Sequence, residues 1–471
     1  MTKNFKKLTF AFAMVLASTS VMADEVTILS LKADDDATIS GISNNGKWAV
    51  GYAFDNSDNA ATNINASVWN LETGERTILT PAENGPSEAN CISEDGTIVG
   101  GAYLGEPAYH KDGQWIVLEK LNNFTMGVVK SMTITPEGDT IFVGYIMDGS
   151  EGQATEAVKW INGSIDYVNP KNFTTDRFGE EAKVNTAWDI SADGKTILGS
   201  MEFTAKPNQS AFIVTNDTAY LIKTESESNA NWSYIFSPRM SENGKYVVGS
   251  FRDVIFEEGK DFPTKDIYQP CIFDIETQRL QVFECAFECG AWDVDNNGNI
   301  YVNSPVETSP IRQGYIYKND ELIEIERILR PAGITQQQIE EIAGNYNEEG
   351  NDNLGTILAV SADGLTIVGC AGECKAYNWV AKLTKPLHEM DVEVSAPTIS
   401  YDKLAAYYVD GNIILSGMVD AIEVYDLNGA LVLNQNVETA LMPVQLANGM
   451  YIVKMYNHAT NTISTSKIMV K

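Results

Sequence analysis

Histidine sets the first limit on the chemistry open to this 471-residue chain, because there are only three. His110 alone lies in the repetitive part of the sequence; His388 and His458 lie beyond it. A Ser-His-Asp or Cys-His nucleophile would have a single imidazole to use there, and a multi-histidine metal site cannot be built. His110 stands in Ala108-Tyr109-His110-Lys111, where other repeats carry a packing aromatic, and reads as structural. The 64 acidic residues offer many carboxylate pairs for glycoside cleavage, but spacing marks none of them, so no catalytic residue is assigned. Asp293-Val294-Asp295-Asn296-Asn297-Gly298 opens like a calcium loop, yet Ser304 occupies the place where the bidentate glutamate is needed. Calcium is therefore disfavoured and no cofactor is expected. Cysteine occurs as two C-x3-C pairs, Cys285/Cys289 and Cys370/Cys374, with no histidine nearby, which argues against zinc. In an exported chain both pairs could form disulfides, Cys370–Cys374 across a three-residue hairpin loop and Cys285–Cys289 at a strand crossing. Cys91 and Cys271 read as buried thiols. The remaining candidates are for binding: Trp188 and Trp292, each in Ala-Trp-Asp, with Trp232, Asp189, Asp293 and Arg239. An indole can lie over a sugar ring while carboxylate and guanidinium bond its hydroxyls. Packing between repeats is the competing role for each tryptophan.

The elements that must position these residues are set by one phrase, Asp189-Ile190-Ser191-Ala192-Asp193-Gly194-Lys195-Thr196-Ile197-Leu198-Gly199. Variants recur with their turn glycines at positions 46, 96, 138, 194, 244, 298 and 364. Asn-Gly and Asp-Gly supply the positive φ of a tight hairpin turn, and the serine can bond the turn backbone. A second hairpin follows each copy, opening on a small residue and an aromatic, as in Ala66-Ser67-Val68-Trp69 and Ala157-Val158-Lys159-Trp160. Trp69, Trp160 and Trp379 recur at one position and read as packing residues. Four strands per repeat, repeated seven times at intervals near fifty residues, predict an all-β, seven-bladed β-propeller over residues 24–385.

The phrase resembles the HAF family of extracellular repeats, which carry Ile-Ser-x-Asp-Gly, Ile-Val-Gly and a later aromatic strand. The resemblance runs from about Ala37 to Leu383 and implies a fold rather than an activity. The seventh repeat stops after Tyr377–Leu383, one strand short. Val26–Leu31 is predicted to supply that strand and close the ring, which removes an exposed sheet edge. A helix is predicted over Thr335–Ala343 from its capping-box start. Long variable connections, Ala53–Asn65, Thr224–Ala230, Phe251–Gln269 and Arg330–Gly355, are predicted to share one face. The three tryptophans would enter the ring from that face, making its mouth the expected ligand site.

Residues 1–23 read as a signal peptide: Lys3, Lys6 and Lys7, then an apolar run from Leu8 to Leu16, then Val21-Met22-Ala23. That run is shorter than the roughly 20 residues of a membrane span, and no later stretch is long enough. The net charge of −31 repels phosphate backbones and disfavours nucleic acid as a partner. Residues 386–400 read as a linker and 401–471 as a small C-terminal β-sandwich. Val424-Tyr425-Asp426-Leu427-Asn428-Gly429, Leu446-Ala447-Asn448-Gly449-Met450-Tyr451-Ile452-Val453 and the closing Lys467-Ile468-Met469-Val470-Lys471 resemble the sorting domain of the type IX (Por) secretion system of Bacteroidetes. This implies the secretion machinery as a partner and a secreted or outer-surface location. The expectation is an exported propeller that binds an extracellular ligand: glycan, peptide or protein. Two alternatives stand beside it, a glycoside hydrolase or lyase using carboxylates on the loop-rich face, and a purely structural surface protein. The scarcity of histidine and the absence of a marked acid pair favour binding over catalysis.

Overall fold

The structure, a computed structural model, describes residues 26–470 other than 32–36, 55–63, 81–84, 122–123, 149–154, 169–181, 204–205, 216–217, 223–233, 256–264, 286–287, 305–312, 320, 344–352, 372–376, 394–404, 410, 417–418, 438–440 and 458–461. The signal peptide expected at 1–23, Trp232, Cys374 and the Thr224–Ala230 connection lie outside the described residues. The chain divides into two units, Met1–Glu393 and Val394–Lys471.

The first unit is built from hairpins whose turns are held by the residues that recur. Ser191 Oγ donates to Asp193 Oδ1 at 2.7 Å and accepts from Thr196 N at 3.0 Å, while Asp193 Oδ1 accepts from Lys195 N at 3.0 Å. Ser93 with Asp95 and Ser361 with Asp363 repeat the arrangement. Hydrogen bonds from Ser93 and from Thr97 hold the Asp95 carboxyl below its ordinary pKa. Each turn glycine has positive φ, as Gly194 does at +72°. The sixth turn puts Asp295 in the serine position. Its carboxylate accepts from Asn297 N, Asn299 N and Asn299 Nδ2, so the calcium-like phrase folds as a turn that satisfies itself.

These hairpins form seven four-stranded antiparallel sheets. Six follow chain order. The seventh takes Thr356–Val360, Thr366–Ala371 and Tyr377–Leu383 from the far end of the unit and Val26–Ser30 from its start. Val26 pairs with Leu383 and Ser30 with Trp379. Asn378 Nδ2 then donates to Ala37 O at 2.8 Å, joining the seventh sheet to the first. The first strand of every sheet touches the first strand of the next, and the seventh touches the first again, giving a propeller-like ring.

Glycine and aromatic recur together for a packing reason. The Trp379 indole lies against Gly369, where a Cβ would stand 2.2 Å from Cζ2, and Phe212 covers Gly199 in the same way at 2.4 Å. Trp69, Trp160 and Trp379 are all fully buried. Trp160 and Trp379 each spend the indole N–H on a backbone carbonyl preceding their own sheet, Glu119 O at 2.8 Å and Leu354 O at 2.7 Å. Wedge and anchor are therefore one side chain.

The helix Gln336–Ala343 has the expected cap: Thr335 Oγ1 accepts from Gln338 N, and Gln338 Oε1 from Thr335 N. A short helix at Glu326–Leu329 was not foreseen; Glu326 is buried and accepts from Leu354 N at 2.7 Å. The segment 386–393 is not a free linker. Leu387 and Met390 are buried in the first unit, Lys318 Nζ donates to Met390 O, and Glu393 N donates to Arg327 O. Two apolar side chains three residues apart are enough to seat it.

Cys370 is disulfide-bonded. Cys285 and Cys289 correct the sequence expectation: both are free thiols, as are Cys91 and Cys271. A hydrogen bond from Cys289 lowers the Cys285 pKa, and Cys285 Sγ itself lies 3.5 Å from Phe283 O, so the pair is hydrogen-bonded instead of cross-linked.

The second unit has a three-stranded sheet (Ala405–Val409, Asn412–Ser416, Leu441–Pro443) and a four-stranded one (Leu431–Asn436, Ala421–Asp426, Gly449–Asn457, Thr462–Val470). Alternate residues, Ile413 and Leu415 from one and Ile422, Val424, Val453 and Met455 from the other, share one core.

Gly369→Ala should destabilise the first unit by about 1–3 kcal/mol, because the added methyl must displace the Trp379 ring or the Thr356 carbonyl. Denaturant unfolding checks this; an unchanged midpoint would show that ring and strand are not locked together.

Candidate functional site

All seven first strands break register with their second strands, and the fourth does so a second time at Asn185. The breaks fall at Ser40, Asn90, Lys130, Trp188, Ser237-Pro238, Trp292 and Leu358. An extra residue bends a strand and re-aims its side chains. Facing five of the breaks is a glycine with little room, Gly51, Gly101, Gly144, Gly199 or Gly369. A Cβ on Gly51 would stand 1.9 Å from Thr38 O, and one on Gly144 would stand 2.0 Å from Val128 O. Just past the breaks come Gly41, Cys91, Ser131, Asp189, Arg239, Asp293 and Ala359. They surround one hollow of about 120 Å³.

The two aspartates hold the ring together. Asp189 Oδ1 accepts from Ser131 Oγ at 2.7 Å and Ile190 N at 2.9 Å, and Oδ2 accepts from Met240 N at 3.3 Å. It thereby touches the sheet before its own and the sheet after. Asp293 Oδ1 accepts from Val294 N at 2.9 Å and Oδ2 from Val360 N at 2.7 Å, reaching the seventh sheet. Burial raises both pKa values, that of Asp293 to about 6, against the lowering effect of these bonds and of the Arg239 charge.

Arg239 stands between them. Its guanidinium makes no hydrogen bond or ion pair among the described residues, although its charge acts on both carboxyls. Lys130 is the second cation. Its Nζ sits 5.7 Å from the Trp188 ring centre and 5.8 Å from that of Tyr145, and burial lowers its pKa while nearby Glu88 opposes the shift. Trp188 Nε1 donates to Ser200 Oγ at 3.1 Å. At the turn end, Asn44, Glu242 and Ala362 complete the lining. Glu242 Oε1 is buried without a hydrogen-bond partner. Burial, and then the Asp189 charge, push its carboxyl up to about 8, although Asn44 bonds the charged form.

Of the residues proposed from sequence, Trp188, Asp189, Arg239 and Asp293 line the hollow together. Trp292 does not; its Nε1 donates to Leu358 O at 3.2 Å and ties the sixth sheet to the seventh. Trp232 lies outside the described residues. Sequence reasoning missed Lys130, Ser131 and Glu242. The signal for Lys130 was its place two residues after Val128, at the same register as Trp188, obscured by two extra residues before the third turn. The hollow also lies between the register breaks and the short turns, not at the mouth under the long connections. Among the described residues no three His, Cys, Asp or Glu side chains are grouped to hold a metal.

Residues 408–471 match the family model of the secretion system C-terminal sorting domain. That domain directs the chain through type IX secretion to the cell surface or beyond it, with the secretion machinery as a partner. No helix among the described residues is long and apolar enough to cross a membrane. No curated protein matches the chain. Among solved structures it is similar to TolB from Acinetobacter baumannii, at 11% identity and TM-score 0.35, covering 58% of this chain and 61% of that one. An oligogalacturonate lyase from Vibrio parahaemolyticus gives 11% identity and TM-score 0.47, covering 75% of this chain and 93% of the lyase. The extracellular domain of a putative hybrid two-component system from B. thetaiotaomicron gives 10% and 0.43, covering 94% of this chain and 53% of that one. At these scores the likenesses carry no argument about function.

Because the folded pKa of Glu242 lies above the ordinary carboxyl value, the folded state holds a proton that the unfolded chain releases. The stability this group contributes is therefore present at low pH and lost as pH rises from about 4.5 towards 8. Glu242→Gln should melt higher than wild type at pH 8.5 and equally at pH 4.5. Calorimetry at the two values checks this; an equal gap at both would mean the carboxyl does not titrate in that window.

Proposed function

We propose that the first unit is a seven-bladed β-propeller of the HAF type and that the exported chain is a binding module, its central hollow taking part of an extracellular ligand, with a glycan as the first candidate. The observation that carries this reading is the convergence of the register breaks. They gather Trp188, Lys130, Arg239 and Glu242 around one polar space, and in Arg239 and Glu242 they leave donor and acceptor capacity unspent. An unspent polar group costs desolvation that a ligand bonding it would repay. A signal peptide at 1–23 and the acidic surface agree with work outside the cell, and the sorting domain supplies the route.

A hydrolase or lyase reading has one observation in its favour: a carboxyl raised to about 8 in a polar hollow has the form of a general acid. Asp189 and Asp293, the raised carboxyls beside it, each accept hydrogen bonds on both oxygens, which weakens the paired-acid version. Incubation with a polysaccharide panel separates the two readings. A binder depletes with the insoluble polymer and releases nothing; an enzyme releases reducing ends or an unsaturated product.

On whichever polymer depletes the protein, Trp188→Ala should weaken binding about tenfold or more. Trp292→Ala should instead lower the melting temperature and leave the affinity of the folded fraction alone. The reverse pattern would move the site away from the hollow.

A further inference from the structure

Arg239 raises a question that the ring itself does not answer. It is a guanidinium with five N–H donors, in a chain whose acids outnumber its bases 64 to 33, and among the described residues it has no acceptor. Its neighbours Asp189 and Asp293 supply negative charge but do not bond it: their oxygens accept from Ser131, Ile190 and Met240 and from Val294 and Val360. They balance the two cations of the hollow, Arg239 and Lys130, so the four charges sum to zero. On the turn side Glu242, bonded by Asn44, keeps one oxygen, Oε1, without a partner.

We infer that the hollow recognises a carboxylate on its ligand, held by the guanidinium of Arg239, with Glu242 or Asn44 meeting a hydroxyl or N–H beside it. This deepens the binding proposal above and rests on it. Guanidinium forks match carboxylates with two parallel hydrogen bonds, and this fork has no protein bond to give up. Lys130 is less suited to the task. It is already set between the Trp188 and Tyr145 rings with Glu88 nearby, so it contributes field more than contact. The space of about 120 Å³ admits a carboxylate and the atoms around it, not a whole oligomer, so the group must be presented at a chain end or on a single residue.

Two sources present such a group: an acidic sugar or a peptide C-terminus. Calorimetric titration of the secreted protein with four probes distinguishes them: D-glucuronate against D-glucose, and alanyl-alanine against alanyl-alanine amide. In at least one pair the carboxylate should bind and its neutral partner should bind about tenfold more weakly or not at all. Arg239→Gln should lose that preference. Arg239→Lys, which keeps the charge without the fork, should retain a smaller part of it, with both variants checked for folding by their melting curves. Equal binding within each pair, binding of no carboxylate probe, or an unchanged preference in a folded Arg239→Gln variant would overturn the inference. If Trp188→Ala still abolishes polymer depletion while Arg239→Gln does not, the hollow is a binding site but not a carboxylate site, and only this inference falls. If neither variant changes depletion, the binding reading falls with it.

Discussion

The structure depends on one backbone constraint: each first strand breaks register with its partner just before the residue that faces the hollow. A regular strand pair would send alternate side chains to the two faces of the sheet and leave the inner edge without a lock. The extra residue bends the strand and frees a position to reach sideways. At Asp189 and Asp293 that reach ends on the backbone N–H of the neighbouring first strand, Met240 and Val360. Asn90 does the same in the second sheet, donating to Val129 O at 2.9 Å. The turns repeat the linkage lower down, where Ala192 N donates to Glu242 O, Asn296 N to Ala362 O and Ala362 N to Asn44 O. Neighbouring sheets are therefore joined by directional bonds as well as by apolar contact, and the hollow is the space those bonds enclose.

This constraint also divides structural from available chemistry. Carboxylates that look like ligand groups in the sequence already accept hydrogen bonds from their own and neighbouring strands. Arg239, read from the sequence beside two acids as a group for a ligand's hydroxyls, is the group left over. A charge pair in a sequence predicts proximity, and here proximity is real; the hydrogen bonds follow backbone geometry instead.

What the sequence made legible was whatever repeats. Ser-x-Asp-Gly fixes the turns through its own side chains, so the hairpins could be located from residue types alone. The second-strand glycine and the third-strand aromatic are two halves of one contact, as at Gly369 and Trp379, and their recurrence marked the sheets. The register breaks were not legible, because an extra residue in a strand alters no composition and breaks no apolar pattern. Lys130 was missed for that reason, since two further residues separate its break from the third turn and shift it out of alignment. Leu387 and Met390 were missed because two apolar residues among polar ones look like a linker until a surface for them is known. The Cys285/Cys289 spacing permitted a disulfide, and the local hydrogen bonding chose thiols.

The central claim is that ligand meets this protein where the seven first strands converge. Hydrogen–deuterium exchange, measured with and without a polymer or probe that binds, tests it most directly. The account predicts that added protection is confined to peptides covering residues 40–44, 130–132, 188–190 and 239–242. Protection that falls on the long connections or on the C-terminal sheets, with these segments unchanged, would contradict it.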